Sequence, residues 1–272
     1  MLLTIDIGNS SVFLGVFGEE EAPIASWRLP TDRQSRPERI SRSLCQLWRQ
    51  KGLRGQDFEG AALCCVVAPL TELWRGTLEE MLDFEPLVLH QRMDLGLTLD
   101  VRNPDQVGMD RLVDAAAVRE RTTGAAVAVD FGTATTFNVV DEDGRFRGGA
   151  IAPGLATAAE SLRVGAPGLA ELADVFGSLS SVSNEVELRP PSSAIGRDTD
   201  EALRSGTVFG YAGLVEGLLN RIGHELESPV TVISTGGLGH VITPLTGSID
   251  YYDPWLTLAG IRIVHRLNAG CG

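Results

Sequence analysis

The sequence is organised around the stretch Val127-Ala128-Val129-Asp130-Phe131-Gly132-Thr133-Ala134-Thr135-Thr136. Its apolar, β-branched beginning predicts a buried strand that ends near Asp130, and the apolar residues 137–140 predict a second strand. The small residues between the two strands therefore predict a tight β-hairpin. Glycine lets a phosphate approach the backbone, and N–H groups and threonine hydroxyls can donate hydrogen bonds to phosphate oxygens. An ordinary hairpin with a polar turn is the alternative for this stretch taken alone.

A second stretch, in residues 2–17, repeats the pattern of strand, Asp-x-Gly, small polar residues and strand. The alignment that follows from this pattern pairs Asp6 with Asp130, Gly8 with Gly132 and Phe13 with Phe137. Two such hairpins indicate a duplicated domain with a nucleotide bound between the halves. Chance similarity between two buried hairpins is the alternative.

The composition is that of a globular protein with an acidic surface. Of the 272 residues, 43% are hydrophobic, and the formal net charge is −13. This charge argues against binding to nucleic acid or to an anionic membrane surface. No apolar stretch reaches the length of a membrane span, and the N-terminal strand does not have the pattern of a signal peptide. Four cysteines have spacings that fit neither a disulfide framework nor a zinc site, which favours a reducing, cytoplasmic compartment: Cys45, Cys64, Cys65 and Cys271.

The predicted elements follow a similar order in both halves. In the first half, three strands precede a helix, a strand, a helix and a short strand; in the second half, the hairpin precedes a third strand and a helix. Residues 165–189 have weak periodicity and predict a mixture of helix and loop. A long helix is predicted over residues 198–225, and four of its glycines are expected to allow close packing of another helix: Gly206, Gly210, Gly213 and Gly217.

The stretch Gly108-Met109-Asp110-Arg111 opens a predicted helix. A carboxylate can accept the proton of a substrate hydroxyl, and a guanidinium can bind an anionic group of the substrate. The pair therefore fits phosphoryl transfer to an alcohol. A helix cap at Asp110 and a surface arginine at position 111 are the alternatives.

The stretch Thr235-Gly236-Gly237 ends a predicted strand. Ligands of open α/β sheets bind at the carboxyl ends of the strands, and paired glycines let a nucleoside lie flat on the backbone. We therefore expect a nucleoside contact here. A plain turn between a strand and a helix is the alternative.

Together these motifs resemble the type III pantothenate kinases, a family of the acetate and sugar kinase/Hsp70/actin superfamily. The motifs occur in the family's order over nearly the whole chain: Asp6-Ile7-Gly8-Asn9-Ser10, Gly108-Met109-Asp110-Arg111, Asp130-Phe131-Gly132-Thr133-Ala134-Thr135-Thr136, Gly148-Gly149-Ala150-Ile151-Ala152-Pro153-Gly154-Leu155, Thr235-Gly236-Gly237 and Asp253-Pro254-Trp255-Leu256-Thr257-Leu258. The resemblance implies two ribonuclease H-like (actin-like ATPase) α/β halves, residues 1–118 and 119–272, with an ATP cleft between them. It also implies ATP-dependent phosphorylation of pantothenate to 4′-phosphopantothenate, the first step of coenzyme A biosynthesis.

The resemblance also implies roles for individual residues. Asp110 corresponds to the general base, and Gly108, Met109, Asp110 and Arg111 to contacts with pantothenate, with Arg111 on its carboxylate. Thr199 corresponds to a further pantothenate contact and Thr133 to an ATP contact. Asp130 corresponds to the site of a monovalent cation, potassium or ammonium, while Mg²⁺ accompanies ATP and the family forms homodimers. The ATP phosphates correspond to the N-terminal hairpin: Asp6, Ile7, Gly8, Asn9, Ser10, Ser11, Val12 and Phe13.

Three departures from the family pattern stand out. The usual Gly-Asn-Thr-Asn is Gly-Asn-Ser-Ser at residues 8–11, Val101 replaces the usual tyrosine of the substrate wall, and residues 169–189 lack the usual Leu-Pro pattern. Val101 keeps open a kinase of another small alcohol. A non-catalytic regulator or accessory protein of the same superfamily is a further alternative. Four intact residues count against it: Asp6, Asp110, Arg111 and Asp130.

Overall fold

The computed structural model describes residues 1–166 and 190–269 of the chain. The fold is α/β, and the chain divides into two compact units. The first unit comprises Met1–Ala117 and Trp255–Gly272, and the second comprises Val118–Pro254. A β-sheet lies at the centre of each unit.

Five strands form the sheet of the first unit: β1 (Leu2–Ile7), β2 (Ser11–Phe17), β3 (Ala25–Pro30), β4 (Gly60–Cys65) and β5 (Leu87–Val88). Their order in the sheet is β3-β2-β1-β4-β5. The pairs β1–β2 and β2–β3 are antiparallel, whereas β1–β4 and β4–β5 are parallel. The remaining elements of this part of the chain are α1 (Pro37–Gln50), α2 (Ala68–Leu82), β6 (Thr98–Leu99) and the start of α3 (Met109–Arg121).

The core of the first unit lies around β1. Its side chains Leu3, Ile5 and Ile7 are fully buried, because the strand is central in the sheet. Helix α1 presents an apolar stripe at a spacing of four residues, as expected for a helix with one face on a core. The packed side chains are Leu3, Ile5 and Ile7 from β1, Ile40, Leu44 and Trp48 from α1, and Leu70, Trp74 and Leu78 from α2.

In the second unit the sheet contains β7 (Ala125–Phe131), β8 (Ala134–Val140), β9 (Arg145–Pro153), β10 (Val230–Thr235) and β11 (Tyr251–Tyr252). Their order is β9-β8-β7-β10-β11, with antiparallel β7–β8 and β8–β9 pairs and parallel β7–β10 and β10–β11 pairs. The described residues of this unit form the helices α4 (Leu155–Gly165) and α5 (Thr199–Leu226) and the single turn α6 (Gly239–Ile242). The five strands therefore repeat the order and directions found in the first unit, which confirms the predicted duplication of a ribonuclease H-like fold.

The observed division of the chain differs from the predicted one in the placement of the C-terminal helix. The two predicted halves, 1–118 and 119–272, are continuous, whereas the first compact unit also includes the chain from Trp255 onward. The reason is the packing of α7 (Leu256–Asn268) on β1, β2 and β4. Its buried side chains, among them Leu258, Ile261 and Val264, complete the core of the first unit.

The glycines of α5 do not have the predicted role within the described chain. A Cβ atom added at Gly206, Gly210 or Gly213 meets no atom within 4 Å, apart from the backbone of its own helix and its chain neighbours. The buried face of α5 is formed instead by the larger residues between these glycines, such as Val208 and Val215. The predicted mixture of helix and loop over 165–189 falls almost entirely outside the described residues.

The described part of the chain contains no helix with the length and apolar character that crossing a membrane requires.

Candidate functional site

The first hairpin joins β1 to β2 through the three residues Gly8-Asn9-Ser10. The N–H of Gly8 donates a hydrogen bond to the carbonyl of Ser11 at 3.0 Å and closes the turn. Asn9 and Ser10 are exposed at its tip. Asp6 is partly buried and is the second-last residue of β1, two residues before Gly8. The geometry leaves small polar residues available to a ligand.

Two arginines contact the first hairpin, and sequence analysis did not identify them. Arg28 donates a hydrogen bond to the Ser11 hydroxyl at 3.0 Å, and its guanidinium lies 4.2 Å from the centre of the Phe13 ring. Arg33 donates to the side-chain oxygen of Asn9 at 2.9 Å. The pairing of β2 with β3, which sets Phe13 opposite Arg28, is the signal that could have found the first of them. The turn therefore carries positive charge in a chain that is acidic as a whole.

Asp110 is the second residue of α3, so it is not the capping residue that precedes the helix. Its Oδ1 accepts a hydrogen bond from the N–H of Arg111 at 2.9 Å. Gly108 lies against this carboxylate, since a Cβ atom at position 108 would collide with Asp110 Oδ1. Glycine at this position therefore makes room for the carboxylate of Asp110.

The electrostatic surroundings of Asp110 make it a stronger base than an exposed aspartate. Burial raises the pKa of Asp110 above its ordinary value of 3.8, and the hydrogen bond and positive charge of Arg111 offset only part of that rise. Burial lowers the pKa of Arg111, while the negative charges of Asp110 and Asp114 act in the opposite direction. A carboxylate and a guanidinium thus lie together at the start of one helix, as the sequence predicted.

Cys64 links this helix start to the first hairpin. It is fully buried in β4 and pairs in register with Asp6 of the parallel strand β1. Burial raises the pKa of the Cys64 thiol, and the negative charges of Asp6, Asp110 and Asp114 raise it further. The thiol is therefore neutral, and its surroundings place Asp6 and Asp110 in one neighbourhood of the first unit. The neighbouring Cys65 is only partly buried.

The second hairpin joins β7 to β8 through the two residues Gly132-Thr133. Asp130 pairs with Thr136 here, whereas Asp6 pairs with Phe13 in the first hairpin. The predicted alignment of Phe13 with Phe137 is therefore wrong by one residue, because the second turn is one residue shorter. The alignment of the two aspartates at the strand ends holds.

Glycines bring the Thr-Gly-Gly motif against the second hairpin. Gly236 has a φ of +87°, and a Cβ atom there would collide with Asp130 Oδ1 and lie 2.6 Å from the backbone N and O of Phe131. Gly154 packs against the carbonyls of Gly132 and Thr133 in the same way. The hydroxyl of Thr157 donates to the Thr133 carbonyl at 2.6 Å. One carboxylate oxygen of Asp130 thus lies near the backbone nitrogen and carbonyl oxygen of Phe131.

A carboxylate oxygen of Asp130 and the nearby Phe131 carbonyl are the kind of oxygen ligand that a hard cation such as potassium or magnesium takes. Residues 1–166 and 190–269 contain no group of three or more His, Cys, Asp or Glu side chains that could hold a metal ion. A cation at Asp130 would therefore depend on backbone oxygens and on its bound ligand in addition to this carboxylate.

Two of the threonines in the second hairpin are used inside the protein. Thr135 shares a hydrogen bond with Tyr211, and Thr136 accepts one from the Asn138 side chain at 3.1 Å. Both threonines are buried, whereas Thr133 is exposed in the turn. Thr133 is thus the hydroxyl of this hairpin that a ligand could reach.

The two remaining predicted site residues lie in different units. Val101 is partly buried in the loop between β6 and α3. Thr199 is exposed and begins α5, where Asp198 caps the helix by accepting a hydrogen bond from the N–H of Glu201 at 2.8 Å.

Comparisons with known proteins agree with this arrangement. The family model described as type III pantothenate kinase matches residues 2–221. A type III pantothenate kinase of Thermomicrobium roseum is 40% identical over 266 residues, which cover 98% of this chain and 97% of that protein. One from Roseiflexus sp. (strain RS-1) is 37% identical over 268 residues, covering 98% and 99%.

Solved structures show the same fold at low sequence identity. A ROK family glucokinase from Streptomyces griseus, in complex with glucose and AMPPNP, has a TM-score of 0.55 and 14% identity, covering 95% of this chain and 97% of that one. A protein from Campylobacter jejuni, named as a member of the Baf family of transcriptional activators, has a TM-score of 0.56 and 18% identity, covering 98% and 99%. The fold is thus that of actin-like ATPases and sugar kinases, and the chain belongs to the family of type III pantothenate kinases.

Proposed function

We propose that this chain transfers the terminal phosphoryl group of ATP to the primary alcohol of pantothenate. The observation that carries the proposal is the pair formed by Asp110 and Arg111 at the start of α3. Asp110 is a partly buried carboxylate with a raised pKa, next to a guanidinium. Such a pair suits an acceptor that carries both a hydroxyl group and a carboxylate.

In this reaction Asp110 accepts the proton of the substrate hydroxyl. The hydroxyl oxygen attacks the γ-phosphorus of ATP, and ADP leaves. General-base assistance of this kind is typically worth about a hundredfold to ten-thousandfold in rate. Arg111 binds the carboxylate of pantothenate and thereby orients the hydroxyl. Gly108, Met109, Val101 and Thr199 are proposed as further contacts of the acceptor.

The first hairpin, from Asp6 to Phe13, is proposed to bind the ATP phosphates. Phosphoryl transfer depends mainly on positioning and on stabilisation of negative charge. The exposed turn, with Arg28 and Arg33 bonded to Ser11 and Asn9, supplies positive charge where the phosphates would lie. Thr133 is proposed as a second ATP contact.

Two cations are proposed to assist. Mg²⁺ accompanies ATP and neutralises part of the phosphate charge. A monovalent cation, potassium or ammonium, binds at Asp130, where Gly236 sets the carboxylate against the backbone of Phe131. Equal turnover in potassium buffer, in sodium buffer and in buffer without either ion would remove the monovalent cation from the proposal.

A cytoplasmic homodimer is proposed as the working form. Support comes from apolar side chains of the second unit that are exposed in the single chain: Ile151, Leu162, Val164 and Ile195. Sedimentation analysis over a range of concentrations tests the dimer, and a monomer at all concentrations would contradict it.

An acceptor screen tests the proposed reaction. ADP formation is measured with ATP, Mg²⁺ and potassium, against pantothenate, its neutral amide, glycerol and glucose. We expect the highest kcat/KM for pantothenate. A higher value for another alcohol would favour the second candidate, a kinase of a different small alcohol, which the absence of a tyrosine at Val101 motivates. ADP formation that no acceptor increases would contradict both.

A further inference from the structure

A buried hydrogen bond joins the catalytic helix to the C-terminal helix. The Thr257 hydroxyl of α7 donates to Asp114 Oδ1 of α3 at 2.8 Å. Asp114 is 1% exposed and Thr257 is 8% exposed. A carboxylate is seldom buried to this extent without a specific partner, because removing its charge from water is costly. The contacts proposed above for the phosphates and the acceptor do not explain why the Asp114 carboxylate is buried here.

Asp114 is three residues after Arg111 and four residues after Asp110. Residues at these spacings lie next to each other on one face of a helix. Arg111 is partly buried, and the negative charge of Asp114 favours its charged form. Asp114 thus lies one helical turn behind the two groups that are proposed to act on the acceptor.

The two helices approach each other closely beside this bond. A Cβ atom at Gly260 of α7 would collide with the Val113 carbonyl of α3, so only glycine allows this distance. Thr257 lies one turn before Gly260, which brings its hydroxyl to Asp114. The close approach limits how far α3 can shift relative to α7.

Two other residues of the motif that contains Thr257, Trp255 and Leu258, contact strands or loops of the first unit. The Trp255 ring N–H donates to the Ser26 hydroxyl at 3.3 Å. Leu258 contacts Gly15 in β2, where a Cβ atom would lie 2.8 Å from Leu258. Thr257 is a polar residue between the apolar Leu256 and Leu258. Its hydroxyl is the group of α7 that donates to the Asp114 carboxylate, which explains the polar residue at this position.

We propose that Asp114, held by the hydroxyl of Thr257, is a positioning residue that fixes the guanidinium of Arg111 for the carboxylate of the acceptor. The inference rests on the proposed function for the identity of that acceptor. It extends that function by assigning a role to the C-terminal Asp-Pro-Trp-Leu-Thr-Leu motif. Asp114 itself touches neither acceptor nor ATP in this account.

The first test observes Arg111 directly and does not depend on activity. The NMR signal of the Arg111 Nε–H group, identified by its loss in Arg111→Lys, reports how firmly the side chain is held. We expect hydrogen exchange of this group to be about tenfold faster in Asp114→Asn, as for loss of a hydrogen bond to a charged group. Thr257→Val should show a smaller increase, and Thr257→Ser should resemble the wild type. Unchanged exchange in both Asp114→Asn and Thr257→Val would overturn the inference.

The second test compares two acceptors in the same variants. We expect the preference for pantothenate over its neutral amide, expressed as a ratio of kcat/KM values, to fall about tenfold in Asp114→Asn. A merely structural role would lower both values equally and leave the ratio unchanged, which would contradict the inference. A wild type that shows the exchange protection but has no preference for pantothenate would contradict the proposed acceptor instead.

Thr77→Val is the matched control. The Thr77 hydroxyl is buried in α2 and donates to the Leu73 carbonyl at 2.7 Å, so its removal deletes a buried hydroxyl of the same unit away from Asp114. We expect this variant to keep the Arg111 exchange rate and the acceptor ratio. Loss of either in the control would show that any buried hydroxyl has the same effect and would overturn the inference. Should Asp114→Asn fail to fold, Thr257→Val carries both tests.

Discussion

The two hairpins share a topology but differ in their turns. In each unit an Asp-x-Gly sequence ends the central strand, the next strand returns antiparallel, and a parallel strand follows on the other side. The first turn has three residues; Arg33 donates to its Asn9, and Arg28 donates to Ser11, the first residue of β2. The second turn has two residues and lies against Gly154 and Thr157.

This difference indicates that the duplicated fold determines the position of the aspartate, whereas the turn and the residues around it determine which ion the hairpin favours. Arginines around the first turn favour an anion. In the second hairpin, the Asp130 carboxylate and the nearby Phe131 carbonyl favour a cation, and glycine at position 236 leaves room for both. We therefore expect substitutions in the two hairpins to alter different properties of the enzyme.

The largest effect is expected outside both hairpins, at Asp110. Asp110→Asn removes the proton acceptor and keeps the size of the side chain, so turnover should fall about a hundredfold to ten-thousandfold. The affinity for ATP, measured by calorimetry, should stay close to that of the wild type. The same measurements on Asp6→Asn and Asp130→Asn provide the contrast. A smaller loss of turnover in Asp110→Asn than in Asp6→Asn or Asp130→Asn would contradict Asp110 as the general base and would assign that role to a hairpin aspartate.

A smaller but still substantial effect is expected for Gly236→Ala in the second unit. The added methyl group would collide with the Asp130 carboxylate, and the φ of +87° is unfavourable for alanine. We expect turnover to fall about tenfold, since displacing a positioned group by a fraction of an ångström is costly in catalysis. The ratio of turnover in potassium to turnover in sodium should also fall.

Gly213→Ala is the matched control for this substitution. Its Cβ atom would meet nothing within 4 Å apart from its own helix and chain neighbours, and alanine is favoured over glycine in a helix. We expect activity and potassium dependence to be unchanged. If Gly236→Ala behaves like this control, the close packing at Asp130 has no part in the reaction.

A third effect, on the KM for ATP and not on the KM for pantothenate, is expected for a substitution beside the first hairpin. Arg33→Gln removes the guanidinium that donates to Asn9, and the KM for ATP should rise about fivefold to tenfold, because an exposed contact with a charged group is worth less than a buried one. The KM for pantothenate should not change. Arg42→Gln, an arginine on the surface of α1, serves as the control. Equal KM values for ATP in the Arg33 variant and the wild type would mean that the two turns do not differ in the proposed way.

The smallest effect is expected in stability as a function of pH. Because the folded state raises the pKa of Asp110, the protonated form is favoured by folding. This contribution to the free energy of unfolding is fully present below the ordinary pKa near 3.8 and is lost as the pH rises through the raised value. Relative to Asp110→Asn, the wild type should therefore lose stability between about pH 4 and pH 7. Urea unfolding at both pH values measures the difference, and the opposite sign would contradict a raised pKa.

Much of the fold was predictable because its signals are local. Apolar runs, turn residues and helical spacing predicted β1, β2, β7 and α5 close to their observed bounds, whereas β8 begins at Ala134, three residues earlier than predicted. The site sequence Gly108-Met109-Asp110-Arg111 was predictable as the opening of a helix. The buried environment of Asp110 follows from packing and was not part of that prediction.

The remaining features depend on contacts between distant residues. The bond between Asp114 and Thr257 joins positions 143 residues apart, and no periodicity links them. The contact of Arg33 with Asn9 depends on a loop whose path the sequence does not specify. The one-residue difference between the hairpins arose in the turn, where the same pattern of small residues fits both lengths.

The fate of the γ-phosphate of ATP shows whether the protein transfers it to pantothenate. The purified wild type is incubated with pantothenate, Mg²⁺, potassium and ATP labelled in its γ-phosphate, and the products are separated and identified. We expect the label in 4′-phosphopantothenate, at a rate that depends on the pantothenate concentration, with little free phosphate. Label recovered only as free phosphate, or retained in ATP, would contradict the assignment of Asp110 and Arg111 to phosphoryl transfer onto this alcohol.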